Sequence, residues 1–410
     1  MRDNQRKPWL VLAICCGLAA SSIGISINSS GVFYTPVAED LGILRGTFSL
    51  HMTIFSLVTA LSALFVPRLM TRFSYKLILI ISITTTVIAT AMMGFVNNIY
   101  AFYLLGAIRG LATGMFSIVP LTMIINEWFH QKHGFATSFV FGFSGLAGSI
   151  CSPILSQCIA FVGWQYAYVI KALIIAVLCL PAIFYPFAIK PQDEGLLPYG
   201  YQPETITQHQ NKAPAFRLMQ VGFICFFILA FINTMITGMT QHFPGFAESM
   251  GLSATIGATL LSAGMIGNIV SKLLIGSMSD YFGPVKATLT MMTTNMLGMI
   301  ILIFSPSVIG LYLGAFLFGS IYSVGAVGLP LLCKYFFGTE NYTRAFPMIS
   351  FASNFGAALA LSIVGYIYDF TGSYMNAFLI GIVINGICFG LIGIVMKYQR
   401  QNQKMRRDEE

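Results

Sequence analysis

Charged side chains are scarce in this sequence: Asp, Glu, Lys and Arg make up 9% of its 410 residues, against roughly 25% in a soluble domain. So few charges cannot clothe a water-facing surface, which excludes a soluble protein. Carboxylates are scarcer still, with 14 Asp and Glu against 22 Lys and Arg. All of them fall in loops or tails except Glu127, at the end of an apolar run, so no run has a carboxylate inside it for proton relay or acid–base catalysis. The eight cysteines (15, 16, 151, 158, 179, 225, 333 and 388) lie inside apolar runs and form no Cys-x-x-Cys pair. They read as buried helix residues, not as a disulfide framework or metal site. No nucleotide-binding loop, metal-ligand cluster or nucleophile–base set is present, so neither enzyme chemistry nor a cofactor is expected. The first apolar run, from Trp9, lacks a small-residue cleavage site and reads as a first span, not a signal peptide.

What the chain does have is apolar length. Hydrophobic residues make up 56% of it. Runs of about 20 residues suffice to cross a ~30 Å hydrocarbon core as helices, and nothing alternates with the two-residue period of a membrane barrel. The sequence therefore predicts an all-α membrane protein of twelve transmembrane helices. They are expected near 9–33, 47–67, 77–96, 100–125, 135–159, 165–189, 214–240, 254–278, 286–305, 308–333, 343–367 and 374–396. A polar stretch with Pro191, Pro198 and Pro203 separates the sixth from the seventh. The expected organisation is a six-helix half at 1–189, a linker at 190–213, a second half at 214–396 and a tail at 397–410.

Basic residues give the orientation. Arg2, Arg6, Lys7, Arg68, Arg72, Lys76, Lys132, Lys190, Lys212, Arg217, Lys286, Lys334, Arg344 and the five of the tail fall on one side, and only Arg45 on the other. Both termini and the linker are expected in the cytoplasm, in a multi-pass protein of the plasma or inner membrane. The net charge of +8 is a topology signal and not a nucleic-acid patch. The expected partners are the lipid bilayer and a small anionic molecule, with or without protons, acting on a functional monomer.

The halves repeat. PRLMTRFSYK (67–76) stands opposite GSMSDYFGPVK (276–286), with Pro67 against Gly276, Thr71 against Asp280 and Ser74 against Gly283. Two such six-helix halves mark one large transporter class. On these stretches, on LLGAIRGLATG (104–114) and on GFSGLAGSICSP (142–153), the chain resembles the major facilitator superfamily over essentially its whole length. GVFYTPVAEDLG, WFHQKHGFA, KPQDEGLLPYG and GYIYDFTGSY are similar to stretches of its monocarboxylate and oxalate/formate branch. The resemblance implies a cytoplasmic latch at the polar turn Gly276–Lys286, formed by Gly276, Asp280 and Gly283 with basic loop residues such as Arg72 and Lys76. It also implies that an eighth-helix basic residue, here Lys272, binds the substrate carboxylate, Lys standing where Arg is typical. Proton-coupled relatives carry an acid four residues earlier, where this chain has the non-titrating Asn268. Their first-helix lysine has no counterpart around Asn28.

Three cations, Arg109, Lys171 and Lys272, lie within spans without an anionic partner. An unpaired charge there costs at least ~2.5 kcal/mol and marks a pathway. Lys272 reads as a substrate anchor, or else as a cavity-solvated lysine. Arg109, near the midplane, either binds substrate or holds the fourth helix in place. Lys171 follows Trp164 by seven residues and is expected to snorkel to the outer interface. Asn268, Asn28, Asn233, Thr237 and Tyr322 are candidates to orient substrate, each alternatively a helix–helix hydrogen bond. His51 and His242, near outer ends, read as interfacial. The chain is expected to move a mono- or dicarboxylate by alternating access, as antiport or proton-linked symport. The alternatives are efflux of lipophilic compounds and a non-transporting membrane sensor.

Overall fold

Among the described residues the apolar runs are largely helical, and the one β-type contact is an isolated bridge between Phe129 and Tyr199. The computed structural model describes residues 2–63, 65, 66, 69, 72–129, 131, 133–185, 187–200 and 221–409. It describes their side chains except at 2–5, 63, 133, 134, 138, 339, 340, 343, 344 and 400–409. Linker positions 201–213 and the repeat positions Pro67 and Thr71 lie outside the described residues.

Ten segments are long and apolar enough to cross a membrane. They are α1 Arg6–Asp40, α3 Tyr75–Phe95, α4 Ile99–Trp128, Phe135–Phe184, α7 Val221–Ser249, α8 Ala254–Phe282, α9 Pro284–Phe304, α10 Val308–Gly338, α11 Ala345–Thr371 and α12 Met375–Gln399. Phe135–Phe184 is two helices, α5 and α6, joined at Gly163 with φ 84° and ψ 162°. The 19-residue α2, Arg45–Ala63, completes the twelve.

Several ends differ from the sequence expectation. α1 continues past residue 33 because the 3-10 turn Ser30–Phe33, which follows a π-helical stretch, Ala20–Asn28, leads directly into a helical segment, Tyr34–Asp40. The turn expected at Gly276–Lys286 is helix as far as Phe282. Only Gly283, at φ 85° and ψ 157°, leaves helical space before Pro284 opens α9. That backbone region is essentially closed to residues with a Cβ, so one glycine replaces a loop.

The repeat is visible in the backbone. Gly42 and Gly251 both take positive φ, as do Gly163 and Gly372, each pair 209 positions apart. Asn98 caps α4 by accepting from the Tyr100 N–H, and Ser307, at the same offset, caps α10 by accepting from the Gly310 N–H.

The chain divides into two compact units, Met1–Thr205 with Gln241–Met265, and Ile206–Thr240 with Ile266–Glu410. In the first unit, α4 lies directly on α2. A Cβ on Gly106 would stand 2.6 Å from the His51 carbonyl oxygen, one on Gly110 2.5 Å from that of Phe55, and one on Gly114 2.8 Å from that of Thr59. This one-turn ladder of glycines lets two backbones meet. Segment 241–265 is tied to α1 and α5 in the same unit. The Gln241 amide accepts from the Gly31 N–H at 3.1 Å and donates to the Asn28 carbonyl at 3.4 Å. Ser262 donates to the Ser149 carbonyl at 2.6 Å.

The start of the linker is fixed as well. Lys7 pairs with Glu194, Trp128 Nε1 donates to the Ala188 carbonyl at 3.0 Å, and the Trp9, Phe129 and Tyr199 rings meet within 5.8 Å. In the second unit, Asn385 donates to Asn295 Oδ1, and Asn295 to the Phe318 carbonyl, each at 2.8 Å. These two bonds lock α9, α10 and α12 together beside a core of Phe226, Leu229, Met292, Leu332 and Cys333.

Gly163→Val forces a branched side chain into glycine-only backbone space, a cost of about 1–3 kcal/mol. It should lower the thermal unfolding midpoint of the detergent-solubilised protein. Gly142→Ala, where a Cβ meets nothing within 4 Å, should leave that midpoint unchanged. Equal midpoints for the two variants would contradict the joint assigned to Gly163.

Candidate functional site

The glycine ladder of α4 decides what surrounds Arg109. By drawing α4 onto α2 it sets the guanidinium over the Phe55 ring, 5.1 Å from its centroid. Arg109 is fully buried. Its Nη1 donates to the Met93 sulfur at 3.3 Å, while Nε and Nη2 have no partner. Its charge therefore rests on a π face and a thioether, both polarizable and neither anionic.

Lys171 does not snorkel. It is 1% exposed, and its ammonium donates to Ser30 Oγ at 2.9 Å. The same ammonium lies 5.1 Å from the Phe33 ring centroid and 6.0 Å from that of Tyr168. The sequence reading took Trp164 as an interface marker. Trp164 is itself buried and donates its indole N–H to Asp40 at 3.0 Å, and Lys171 is held within the fold by Ser30. Tyr168 and Lys171, three apart on α6, share a face with Trp164. That aromatic–cation stripe was the available signal.

His51 and His242 are buried too, not interfacial. His51 Nδ1 lies 2.6 Å from the Phe48 carbonyl oxygen. A carbonyl only accepts, so Nδ1 carries the hydrogen. Rings of Phe48, Phe102, Trp164 and Tyr168 close the cluster, Phe102 lying 5.2 to 6.1 Å from the other three. A chain of aromatic rings thus runs from His51 to Lys171 in the first unit, neither of which the sequence reading had taken as a substrate-binding candidate.

Asn28 is occupied structurally. Its amide donates to the Ser144 carbonyl at 3.3 Å, joining α1 to α5, where a Cβ on Gly148 would stand 2.7 Å from the Asn28 Cβ.

In the second unit, Lys272 is half-buried on α8, and among the described residues it is in no ion pair. Asn268, one turn earlier and 3% exposed, leaves its Oδ1 without a donor. Asn233 is fully buried, and neither of its amide atoms has an oxygen or nitrogen partner. Tyr322 and Thr237 come together: the phenol donates to the Thr237 carbonyl at 3.3 Å, and the Thr237 hydroxyl donates to the Thr234 carbonyl at 2.6 Å. At the signature stretch Asp280 is exposed, as are Arg72 and Lys76 in the first unit, and Gly276 and Gly283 are partly covered.

Comparison with known proteins agrees with this architecture. The family model described as Major Facilitator Superfamily matches residues 14–270 and 222–409. The sialic acid transporter NanX of Escherichia coli strain K12 is 20% identical over 363 residues, 87% of each chain. An uncharacterized transporter of the same superfamily, YcxA of Bacillus subtilis strain 168, is 22% identical over 279 residues, 67% of each chain. Among solved structures, a mutant of the nucleoside transporter NupG superposes with a TM-score of 0.72 at 15% identity, covering 94% of this chain and 98% of its own. A bacterial homolog of the human lysosomal transporter Spinster gives 0.69 at 12% identity, covering 96% and 97%. Twelve helices in two repeated halves, a glycine-jointed signature stretch and a family match along nearly the whole chain make this protein a non-enzymatic, multi-pass membrane transporter of the Major Facilitator Superfamily.

Proposed function

We propose that this transporter moves a small organic anion, a mono- or dicarboxylate, by alternating access. Charge carries the reading. Arg109, Lys171 and Lys272 lie within membrane helices, and among the described residues the ion pairs are Lys7–Glu194 and Arg45–Glu39, neither involving these three. An uncompensated cation in an apolar interior is costly, and an anionic substrate supplies the missing counter-charge. Lys272 is the anchor, a point charge with three donors. Asn268 beside it, with an unpartnered Oδ1, orients a hydroxyl or a protonated carboxyl. The loop resemblance to the monocarboxylate and oxalate/formate branch points the same way, as does the relative named a sialic acid transporter, since sialic acids carry a carboxylate. Basic-residue sidedness supports cytoplasmic termini in the plasma or inner membrane. With no carboxylate beside Lys272, transport is exchange, or symport in which the substrate itself carries the proton.

A nucleoside reading comes from the purine ribonucleoside efflux pump NepI of Salmonella, 27% identical over 146 residues, 36% of each chain. It leaves the three cations unexplained, and uptake assays separate the two. In proteoliposomes the wild type should take up labelled lactate or succinate, and unlabelled carboxylates should compete where uridine does not. Lys272→Gln should lower that uptake at least ~10-fold, the loss of one buried charge contact, and Lys272→Arg should retain it. Wild-type uptake by Lys272→Gln sinks the anchor.

Asn268→Asp tests coupling. A carboxylate at i−4 pairs with Lys272 and neutralises the anchor, so uptake should fall at neutral pH. Below the introduced group's pKa the pair dissolves, so uptake should recover on acidification, relative to wild type at the same pH. A pH profile parallel to wild type would remove Asn268 from the neighbourhood of the substrate.

A further inference from the structure

KPQDEGLLPYG (190–200) is a stretch that the transport reading leaves unused. Pro191 opens a four-residue 3-10 turn, Pro191–Glu194, and Gly195 ends it at φ 70°, so the Leu196 N–H returns to the Pro191 carbonyl at 2.9 Å. The turn sends Glu194 back along the chain. Its Oε1 accepts from the Ala188 N–H at 2.6 Å. Its carboxylate also pairs with Lys7, whose ammonium lies 5.8 Å from the Tyr185 ring centroid. One end of the stretch thereby holds the start of α1 against the residues that follow α6.

The other end pairs backbone to backbone with the close of α4. The Tyr199 N–H donates to the Trp128 carbonyl at 2.8 Å, and the Gln131 N–H donates to the Tyr199 carbonyl at 3.1 Å. At Gly200, φ 73°, a Cβ would stand 2.4 Å from the Gln131 Cβ, so only a glycine lets the two strands of chain lie this close. The Trp9 ring lies 5.5 Å from both Phe129 and Tyr199, and these two lie 5.8 Å from each other. Three rings from three separate segments therefore close on one another, and removing any one takes away two of the three contacts. A loop that only carried the chain onward would lie solvated over the surface. This one buries Pro191 and Pro198 and commits one of the chain's 14 carboxylates.

We infer that residues 190–200 are a strap, which closes across the start of α1, the end of α4 and the residues after α6 and makes them open and close as one cooperative piece. The strap sets the spacing of α1 and α4, the helices that carry Asn28 and Arg109, from their ends and without touching substrate. Lys7 and Trp9, ahead of the first span's apolar run, belong to it as much as Glu194 and Tyr199 do. It is independent of what the protein transports.

The test follows backbone amide exchange by mass spectrometry in the purified full-length chain, in peptides containing Gln131 and in peptides containing Tyr199. Both should be protected in the wild type, since both N–H groups are bonded across the strap. Trp9→Ala, remote in sequence from either peptide, should speed exchange in both together by ~10-fold, the loss of two ring contacts. Tyr199→Ala should reproduce that pattern, and Tyr199→Phe, which keeps the ring, should exchange at the wild-type rate. Glu194→Gln keeps an acceptor for the Ala188 N–H and loses the charge, so it should speed both peptides by ~3-fold, and added salt should speed the wild type but not this variant. A purely local role predicts instead that each variant loosens only its own segment. Wild-type exchange at Tyr199 or at Gln131 in Trp9→Ala therefore overturns the strap, as does an effect of Tyr199→Ala that stops short of Gln131. Absence of protection in the wild type overturns it outright. Because exchange and not uptake is read, the strap stands or falls apart from the carboxylate reading.

Discussion

A positive charge that has left water without meeting a negative one is the constraint from which this protein is best understood. Most membrane interiors avoid the situation or resolve it with a paired acid. This chain does neither: its helices carry Arg109, Lys171 and Lys272 and no carboxylate deep within a span. What holds the cations is soft. A ring face, a thioether and a serine hydroxyl stabilise a cation by about a kcal/mol or two each, enough to fix its position but not enough to satisfy it. The scaffold exists to make that arrangement possible. The α4 glycine ladder brings α2, and with it the Phe55 ring, to Arg109, and the Gly163 joint starts α6, on which Trp164, Tyr168 and Lys171 are all buried.

Much of the fold was legible in the sequence, because the signals concerned are averages. Twelve apolar runs, one-sided loop charge and a repeat at a constant offset each survive local error. The misreadings were local. The first span was ended at residue 33, after the polar and flexible Ser29, Ser30 and Gly31, yet the 3-10 turn Ser30–Phe33 leads straight into a further helix, Tyr34–Asp40. Gly276–Lys286 looks like a turn because it is polar, but polarity at a membrane surface does not unwind a helix, and a single positive-φ glycine suffices to reverse the chain.

The site was less legible because depth was inferred by counting from a presumed boundary. For Arg109 the count ran from the start of α4, where Asn98 caps the helix. For Lys171 the expectation of snorkelling failed, because its ammonium is held inside the fold by Ser30 and the Phe33 and Tyr168 rings. Hydrogen-bond commitments have no sequence signal at all. Nothing in the composition distinguishes Asn28, whose amide is consumed by the Ser144 carbonyl, from Asn268 and Asn233, whose buried amides hold unused polar atoms.

The two halves also separate what was duplicated from what was not. Positions that repeat 209 residues apart shape backbone: Gly42 with Gly251, Gly163 with Gly372, and the Asn98 cap with the Ser307 cap. Positions bearing charge do not repeat. At the same offset His51 stands against Leu260, Arg109 against Phe318, Lys171 against Ile380, and Lys272 against Ala63. A symmetric scaffold therefore carries an asymmetric set of cations, with Arg109 and Lys171 in one half and Lys272 in the other. Symmetric placement would have doubled the number of unpaired charges to be stabilised from three to about six, where each costs at least ~2.5 kcal/mol. Confining the cations to single copies keeps that burden low, so the repeat survives in joints and caps and is lost where the charges lie.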